Sequence, residues 1–507
     1  MKAERLRGRA TVDGTRQGAE RFGAGARTLG RTGLTVAPVG FGAHRVRVES
    51  ALHRRALADA LRQGMNLVDT STSHGDGASE ALVGTVLANL AEQGDLRREH
   101  VVVVSKVGYV REGGVAREVA RVREGLWHCM HPDFIVEQLN ESLGRLRIEH
   151  LDVLLLHDPE SYLLDAARRG VDEDERRRAY DDRLLRAFET LEELAQSGRI
   201  GFYGVSSNGF AASSDDASFT SVARLLELAQ RAGGDQHHFA VVQMPMNLLE
   251  LGAVSHPHET PAGPRSPLAI ASEADLGILI GRPLDAIAEV EGEARRVRLV
   301  DEPDPGLVGT DSVRQALARV RKLEAQWATG LGKRLVTPEG DDAVDLFRWG
   351  QELGSRLDEI GDLAQWQHLR HDVVAPTLGR TSAALLDALQ GPTREDFASW
   401  WTAYGAALHH AFESIEQVLR SRRKVLVQAI ARALDPHLPA SWRALPLSGK
   451  AVLTLLAAPV SSVLVGMRHP AYVVDMLALR EHTATIQPVS FPTIDRAVRA
   501  TLANPHE

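Results

Sequence analysis

Residues 151–160 read LDVLLLHDPE, an apolar run that ends in a histidine and then turns into polar loop chemistry. A run this short and continuous reads as a strand buried on both faces, as in a parallel sheet. The same figure occurs twice upstream, in NLVDTS (66–71) and VVVVSKVGY (101–109). Each run delivers one polar side chain at its carboxyl end: Asp69, Lys106 and His157. In a (β/α)8 barrel the carboxyl ends of all strands meet on one face, where the loops that carry chemistry emerge. An acid, a lysine and a histidine are therefore expected to form one site.

Working outward, further strand-like runs are VAPVGFG (36–42), GFYGVSS (201–207), AVVQMPM (240–246) and GILIGRP (277–283). Between them lie helical patterns such as ESALHRRALADALRQG (49–64) and DRLLRAFETLEELAQSG (182–198). Alternation of this kind implies a parallel sheet with crossover helices. Seven strands precede residue 284, and the eighth, SSVLVGM (461–467), appears only much later. The fold class is thus α/β, a (β/α)8 TIM barrel with a large helical insertion between strands 7 and 8. The expected layout is a mobile Arg- and Gly-rich tail over 1–26 and barrel strands 1–7 over 27–284. A helical insertion then fills 285–449, and strand 8 with C-terminal helices fills 450–507. Within the insertion, Leu408, Phe412, Ile415, Leu419 and Leu426 recur at helical spacing and form one apolar stripe. The insertion reads as a stabilising or oligomer-forming bundle, or as a lid.

Composition removes other classes. A net charge of −8 without a basic tract argues against nucleic acid. No apolar run is long enough to span a membrane, and residues 1–25 lack the apolar core of a signal peptide. The one cysteine, Cys129, excludes an intramolecular disulfide and points to a reducing, cytoplasmic compartment. His128, Cys129 and His131 in WHCMHP do not match a zinc frame, so no metal is expected. Trp127 beside them is a candidate pocket wall. Ser79 is expected to cap the helix that follows the GDG turn (75–77), with Glu80 near its positive end.

Seven strings in order resemble the aldo-keto reductase superfamily. They are RTLGRTGLTVAPVGFG, DTSTSHGDGASEALVG, VSKVGY, ESLGRLRIEHLDVLLLHDPE, SGRIGFYGVSSNGF, VVQMPMN and PVSSVLVGMRHP. They span about residues 27–284 and 450–480. The resemblance implies an NADP-dependent oxidoreductase interconverting a small carbonyl compound and its alcohol. It implies a catalytic tetrad of Asp, Tyr, Lys and His. Asp69, Lys106 and His157 match three positions, and the tyrosine position is His74.

The resemblance also places a nicotinamide grip on Ser207, Asn208 and Gln243. It places an adenosine 2′-phosphate site on Gly466 and Arg468, where an arginine favours NADP(H). The aromatic that stacks on the nicotinamide is replaced by Gly281, with Arg282 beside it as a possible compensating charge. A lysine cation near His74 disfavours imidazolium, and a neutral imidazole is a poor acid but a serviceable base. Tyr109 is a second candidate acid. Two rival functions stay open: a non-catalytic nucleotide-binding sensor or scaffold, and a barrel of the same kind with non-redox chemistry.

Overall fold

A computed structural model describes residues 5–114, 117–290, 293–301, 309–335 and 343–503. Eight parallel strands close into a barrel: β1 Val39–Gly42, β2 Leu67–Asp69, β3 Val102–Val107 and β4 Leu151–His157, then β5 Ile200–Ser206, β6 Phe239–Pro245, β7 Gly277–Gly281 and β8 Ser462–Val465. Each strand pairs with its neighbour in this order, and β8 closes the ring between β7 and β1. Helices run between the strands, as the alternating sequence pattern requires.

Strand periodicity decides which residues face the barrel interior. Side chains at i and i+2 share a face. Leu67, Val102, Val104, Val153, Leu155, Val241 and Leu279 form part of one buried cluster inside the ring. Two residues further along the same faces stand Asp69, Lys106, His157, Gln243 and Gly281. The lower interior is thus filled by aliphatic side chains, each worth about 1.5–3 kcal/mol when fully buried. The top layer receives the polar set.

Below the barrel, Asp152 is a buried hub. Its carboxylate accepts hydrogen bonds from Arg98 at 2.7 Å and from the backbone N–H groups of Val103 and Ala10, each at 2.8 Å. The contact with Ala10 corrects the expectation of a mobile N-terminal tail. Residues Val12–Glu20 form a helix capped by Thr11, and Ala19 and Phe22 are fully buried. The physical reason is close backbone approach at two glycines. A Cβ at Gly14 would lie 2.5 Å from the Glu99 carbonyl oxygen, and one at Gly18 would lie 2.5 Å from that of His100. The glycines that read as disorder are what let this helix dock.

The described residues form two compact units. The first runs to Ala286 and resumes over Leu434–Arg499, and the second is Ile287–Ala433 with the last residues of the chain. The inserted segment does not begin as helix, because Asp285–Val290 and Glu293–Arg298 pair as a two-stranded sheet. It also ends earlier than residue 449: helix Leu447–Leu456, buried along its whole length, belongs to the barrel unit. The second unit is mainly helical and carries its own core, in which Trp327, Phe347, Phe397 and Tyr404 are buried, the Phe347 ring touching the other three. Within it the 44-residue helix Gly391–Leu434 buries Leu408, Phe412, Ile415 and Leu419. The stripe drifts at its end, where Val427 rather than Leu426 is buried.

Asp152→Ala is expected to cost about 3–5 kcal/mol, because it leaves the Arg98 guanidinium buried without its carboxylate. Denaturant unfolding of the two proteins measures this. Adding Arg98→Met should recover part of the loss, and an additive double mutant would contradict the hub assignment.

Candidate active site

Lys106 is held by two acceptors at the top of the barrel. Its Nζ donates to Asp69 Oδ1 at 2.6 Å and to the Thr70 carbonyl at 2.9 Å. Both side chains are nearly enclosed, at 3% and 8% exposure. A charge pair this deep is retained because removing either partner strands the other.

His74 lies beside this pair, in the turn before helix Ala78–Glu92. Its backbone N–H donates to the Ser71 carbonyl at 3.2 Å. Its ring is buried, and Nδ1 has no hydrogen-bond partner. Its pKa lies well below the usual imidazole value, first because of burial and then because of Lys106, His157 and His44. Burial therefore outweighs the lysine that the sequence suggested as the cause.

His157 meets the His74 ring edge-on at 5.9 Å between centroids. Its Nδ1 is 3.1 Å from Ser71 Oγ, which fixes the imidazole plane. Its pKa is also held well below the usual value, by burial first and then by Lys106, His128 and His44. Asp69, Lys106 and His157 are thus brought together, as the strand-end reading expected, and His74 joins them from the turn after β2.

Three residues escaped the sequence reading, and a fourth, His128, was weighed there only as a metal ligand. His44, in the loop after β1, stacks obliquely on His74 at 4.7 Å. His128 is completely buried, with Nε2 2.8 Å from the His157 carbonyl oxygen, and burial lowers its pKa to about 4. Asp158 and Glu160 follow His157 directly and turn back toward the next loop. The HDPE string contained both, but nothing in its spacing distinguished them from solvent-facing loop acids.

These two carboxylates occupy the expected nicotinamide grip. Ser207 Oγ donates to Glu160 Oε2 at 2.8 Å, and Asn208 Nδ2 donates to Asp158 Oδ1 at 3.0 Å. The backbone N–H groups of Asn208 and Gly209 donate to Glu160 Oε1 at 2.8 and 3.2 Å. Burial, and then the neighbouring Asp158, push the Glu160 carboxyl up to about 8. Asp158 has φ +49°, a left-handed backbone that aspartate tolerates better than most residues. Tyr109 donates its hydroxyl to Asp158 Oδ2 at 2.7 Å, and burial and Asp158 raise its pKa further. A phenol already committed to a carboxylate is a poor proton donor to anything else.

Gln243 is different. It is buried, and its Oε1 has no partner. A buried unpaired amide oxygen is costly unless a ligand donates to it. Beside it, a Cβ at Gly281 would approach nothing closer than 3.9 Å, to Gln243 Nε2 and the Met244 carbonyl oxygen. Arg282 does not stand free to replace the missing aromatic: it donates to Glu250 Oε1 at 3.0 Å. Gly466 and Arg468 follow β8, and a Cβ at Gly466 would lie 4.0 Å from the Gly42 carbonyl oxygen. Arg468 is close enough to His53, on helix Ala51–Arg62, to lower its pKa, after the larger effect of burial.

Other expected roles change. Ser79 does not cap its helix, because Gly77 holds the N-cap position with φ +85°. Ser79 Oγ instead donates to the Ala43 carbonyl at 2.6 Å. Glu80 is buried and accepts from Ser105 at 2.6 Å and Arg145 at 2.6 Å. Trp127 lies on a strand, Leu126–His128, of a three-stranded antiparallel sheet beside the barrel. His131 caps helix Pro132–Leu146, and Cys129 Sγ lies 3.1 Å from the Arg117 carbonyl oxygen.

At the top of the closed parallel barrel stand an enclosed lysine–aspartate pair and two facing imidazoles. The profile of the aldo/keto reductase family matches residues 38–260, somewhat less than half of the chain. It is similar over 181 residues, at 26% identity, to the oxidoreductase YqkF of Bacillus subtilis, covering 36% of this chain and 48% of that protein. Similarity to the L-galactose dehydrogenase of Arabidopsis thaliana is 29% over 186 residues, covering 35% and 47%. Similarity to the NADH-specific methylglyoxal reductase of Escherichia coli is 32% over 139 residues, covering 25% and 40%. The chain spans about half the length, or less, of these curated relatives. Among the described residues, no helix is long and apolar enough to cross a membrane.

The buried imidazoles set a pH dependence of stability. A histidine with a depressed folded pKa binds its proton more readily when unfolded, so stability is complete above about pH 6.5 and falls below it. For His128, with a folded pKa of about 4, the loss on reaching pH 4 is about 3 kcal/mol. Denaturant unfolding at pH 8, 6.5, 5.5 and 5 should show this decline beginning below pH 6.5. Unchanged stability from pH 6.5 to 5 would contradict the buried neutral state.

Proposed function

We propose that this protein is a nicotinamide-dependent oxidoreductase that interconverts a small alcohol and its carbonyl compound, working as an alcohol oxidant near neutral pH. The observation that carries this reading is His74: a buried imidazole, kept neutral, where the family places its tyrosine acid. A neutral imidazole accepts a proton from an alcohol more readily than it gives one to a carbonyl.

The chain's residues divide the work. His74 takes the hydroxyl proton. The Lys106 cation, fixed by Asp69, stabilises negative charge as it develops on the substrate oxygen. His157 orients that oxygen, its own ring being set by Ser71. The nicotinamide, when bound, supplies the hydride acceptor.

The residues fit that cofactor in part. The unpaired Oε1 of Gln243 suits an amide N–H, and Gly281 leaves room beside it. Ser207 and Asn208 are the weaker arm of the grip, since their donors already serve Glu160 and Asp158. Gly466 and Arg468 would hold the adenosine end, and Arg468 favours a 2′-phosphate and so NADP(H). The single cysteine, buried, fits a reducing, cytoplasmic setting.

Three experiments test this. Arg468→Ala should weaken NADPH binding at least tenfold more than NADH binding, read by fluorescence titration. Equal weakening of both would remove the NADP assignment. His74→Tyr should restore reduction of a generic carbonyl such as a nitrobenzaldehyde. In the wild type, alcohol oxidation should rise with pH through an imidazole pKa below about 6.5 and then level off. A wild type that reduces such carbonyls as fast as His74→Tyr would refute the base role.

A further inference from the structure

An enclosed base has a disposal problem. Each alcohol oxidised breaks a C–H bond, whose hydride goes to the nicotinamide, and an O–H bond, whose proton goes to His74. That proton must reach bulk water before the next turnover. His74 is only 8% exposed. Three titratable groups face it: Lys106, His157 and His44.

Two of them are poorly placed to take the proton onward. Lys106 is committed as a donor to Asp69 and Thr70 and offers no lone pair while it is a cation. His157 has its Nδ1 engaged with Ser71, its Nε2 stands 3.7 Å from Asp158 Oδ2, a carboxylate already accepting from Tyr109 and Asn208, and its neighbour His128 is sealed beneath it. His44 is the exception. It is exposed, and its ring lies 4.7 Å from that of His74, tilted by 43°. Transfer at this separation is direct or through one water. The preceding residue is pinned to the site floor: the Ala43 N–H donates to the Asp69 carbonyl at 2.8 Å, and the Ala43 carbonyl accepts from Ser79. His44 is therefore anchored at the mouth rather than carried on a loose loop. The charged groups that act on it are Arg45, Lys106, Asp69 and Asp285.

We infer that His44 is the proton exit of this site, receiving the proton from His74 and releasing it to bulk water. The inference rests on the reading of His74 as a base. It makes His44 a positioning and relay residue that acts through His74 and does not touch the reacting atoms. After transfer His74 is again neutral and His44 sheds the proton to solvent, so the cycle leaves one proton in water for each hydride delivered.

The test uses the full chain with two variants, His44→Ala and His44→Phe, the second keeping a ring against His74. At low buffer concentration and neutral pH, His44→Ala should lower kcat for alcohol oxidation at least tenfold while KM stays within about twofold. Free imidazole added to His44→Ala should restore most of the rate. Full kcat in both variants would overturn the proposal, and so would a loss that imidazole does not repair at an unchanged melting temperature. A second readout needs no turnover. In protein with 15N-labelled histidine and no cofactor, exchange of the His74 ring proton with water should slow at least tenfold in His44→Phe. Unchanged exchange would overturn the relay. Should the wild type oxidise no alcohol, the base reading fails, and the exchange measurement still decides the exit path.

Discussion

Closure of the barrel depends on four residues. Ser462–Val465 pair with Leu279 and Ile280 on one side and with Val39, Gly40 and Phe41 on the other. Without them β7 and β1 would each present a row of unpaired backbone groups. Side chains reinforce the seam: Ser461 Oγ donates to the Thr28 carbonyl and Ser462 Oγ to that of Ala37. Gly40 leaves room for the side chains of the neighbouring strands, since a Cβ there would lie 2.9 Å from a Leu67 methyl and 3.0 Å from a Leu464 methyl. Closure also fixes the stagger of the strands, and the stagger brings Asp69, Lys106, His157 and Gln243 to one level.

At that level two effects compete over every ionisable group. Enclosure disfavours charge, and a neighbour of opposite sign favours it. Lys106 and Asp69 have each other at 2.6 Å. The imidazoles have no such partner within hydrogen-bond reach, and enclosure is the first cause of their depressed pKa values. One ion pair and a set of neutral rings is the outcome.

The sequence made the barrel legible because valine and leucine runs with a polar terminus have few other readings. Asp69, Lys106 and His157 followed from that figure alone, while His74 needed the motif in which it replaces tyrosine. His44 carried no such mark, since GAHRV is ordinary loop sequence and only the folded turn lays its ring on His74. Asp158 and Glu160 were hidden for a related reason: their partners Ser207 and Asn208 lie some 50 residues away on the adjacent strand end. The docked helix Val12–Glu20 was missed because glycine marks both flexible chain and tight packing, and periodicity cannot separate the two. The paired strands Asp285–Val290 and Glu293–Arg298 were obscured by their surroundings, a charged stretch that leads into a long helical region.

The late position of β8 has a consequence for synthesis. About 180 residues separate the end of β7 from the start of β8. At about 5–20 residues per second, a ribosome needs about 10–35 s to cross that interval. Throughout it the nascent sheet has seven strands and two bare edges. The aliphatic interior cannot be sealed, however quickly the individual βα units form. The length of the inserted unit thus works as a timer on the emerging chain, and it sets how long chaperones must shield the open sheet.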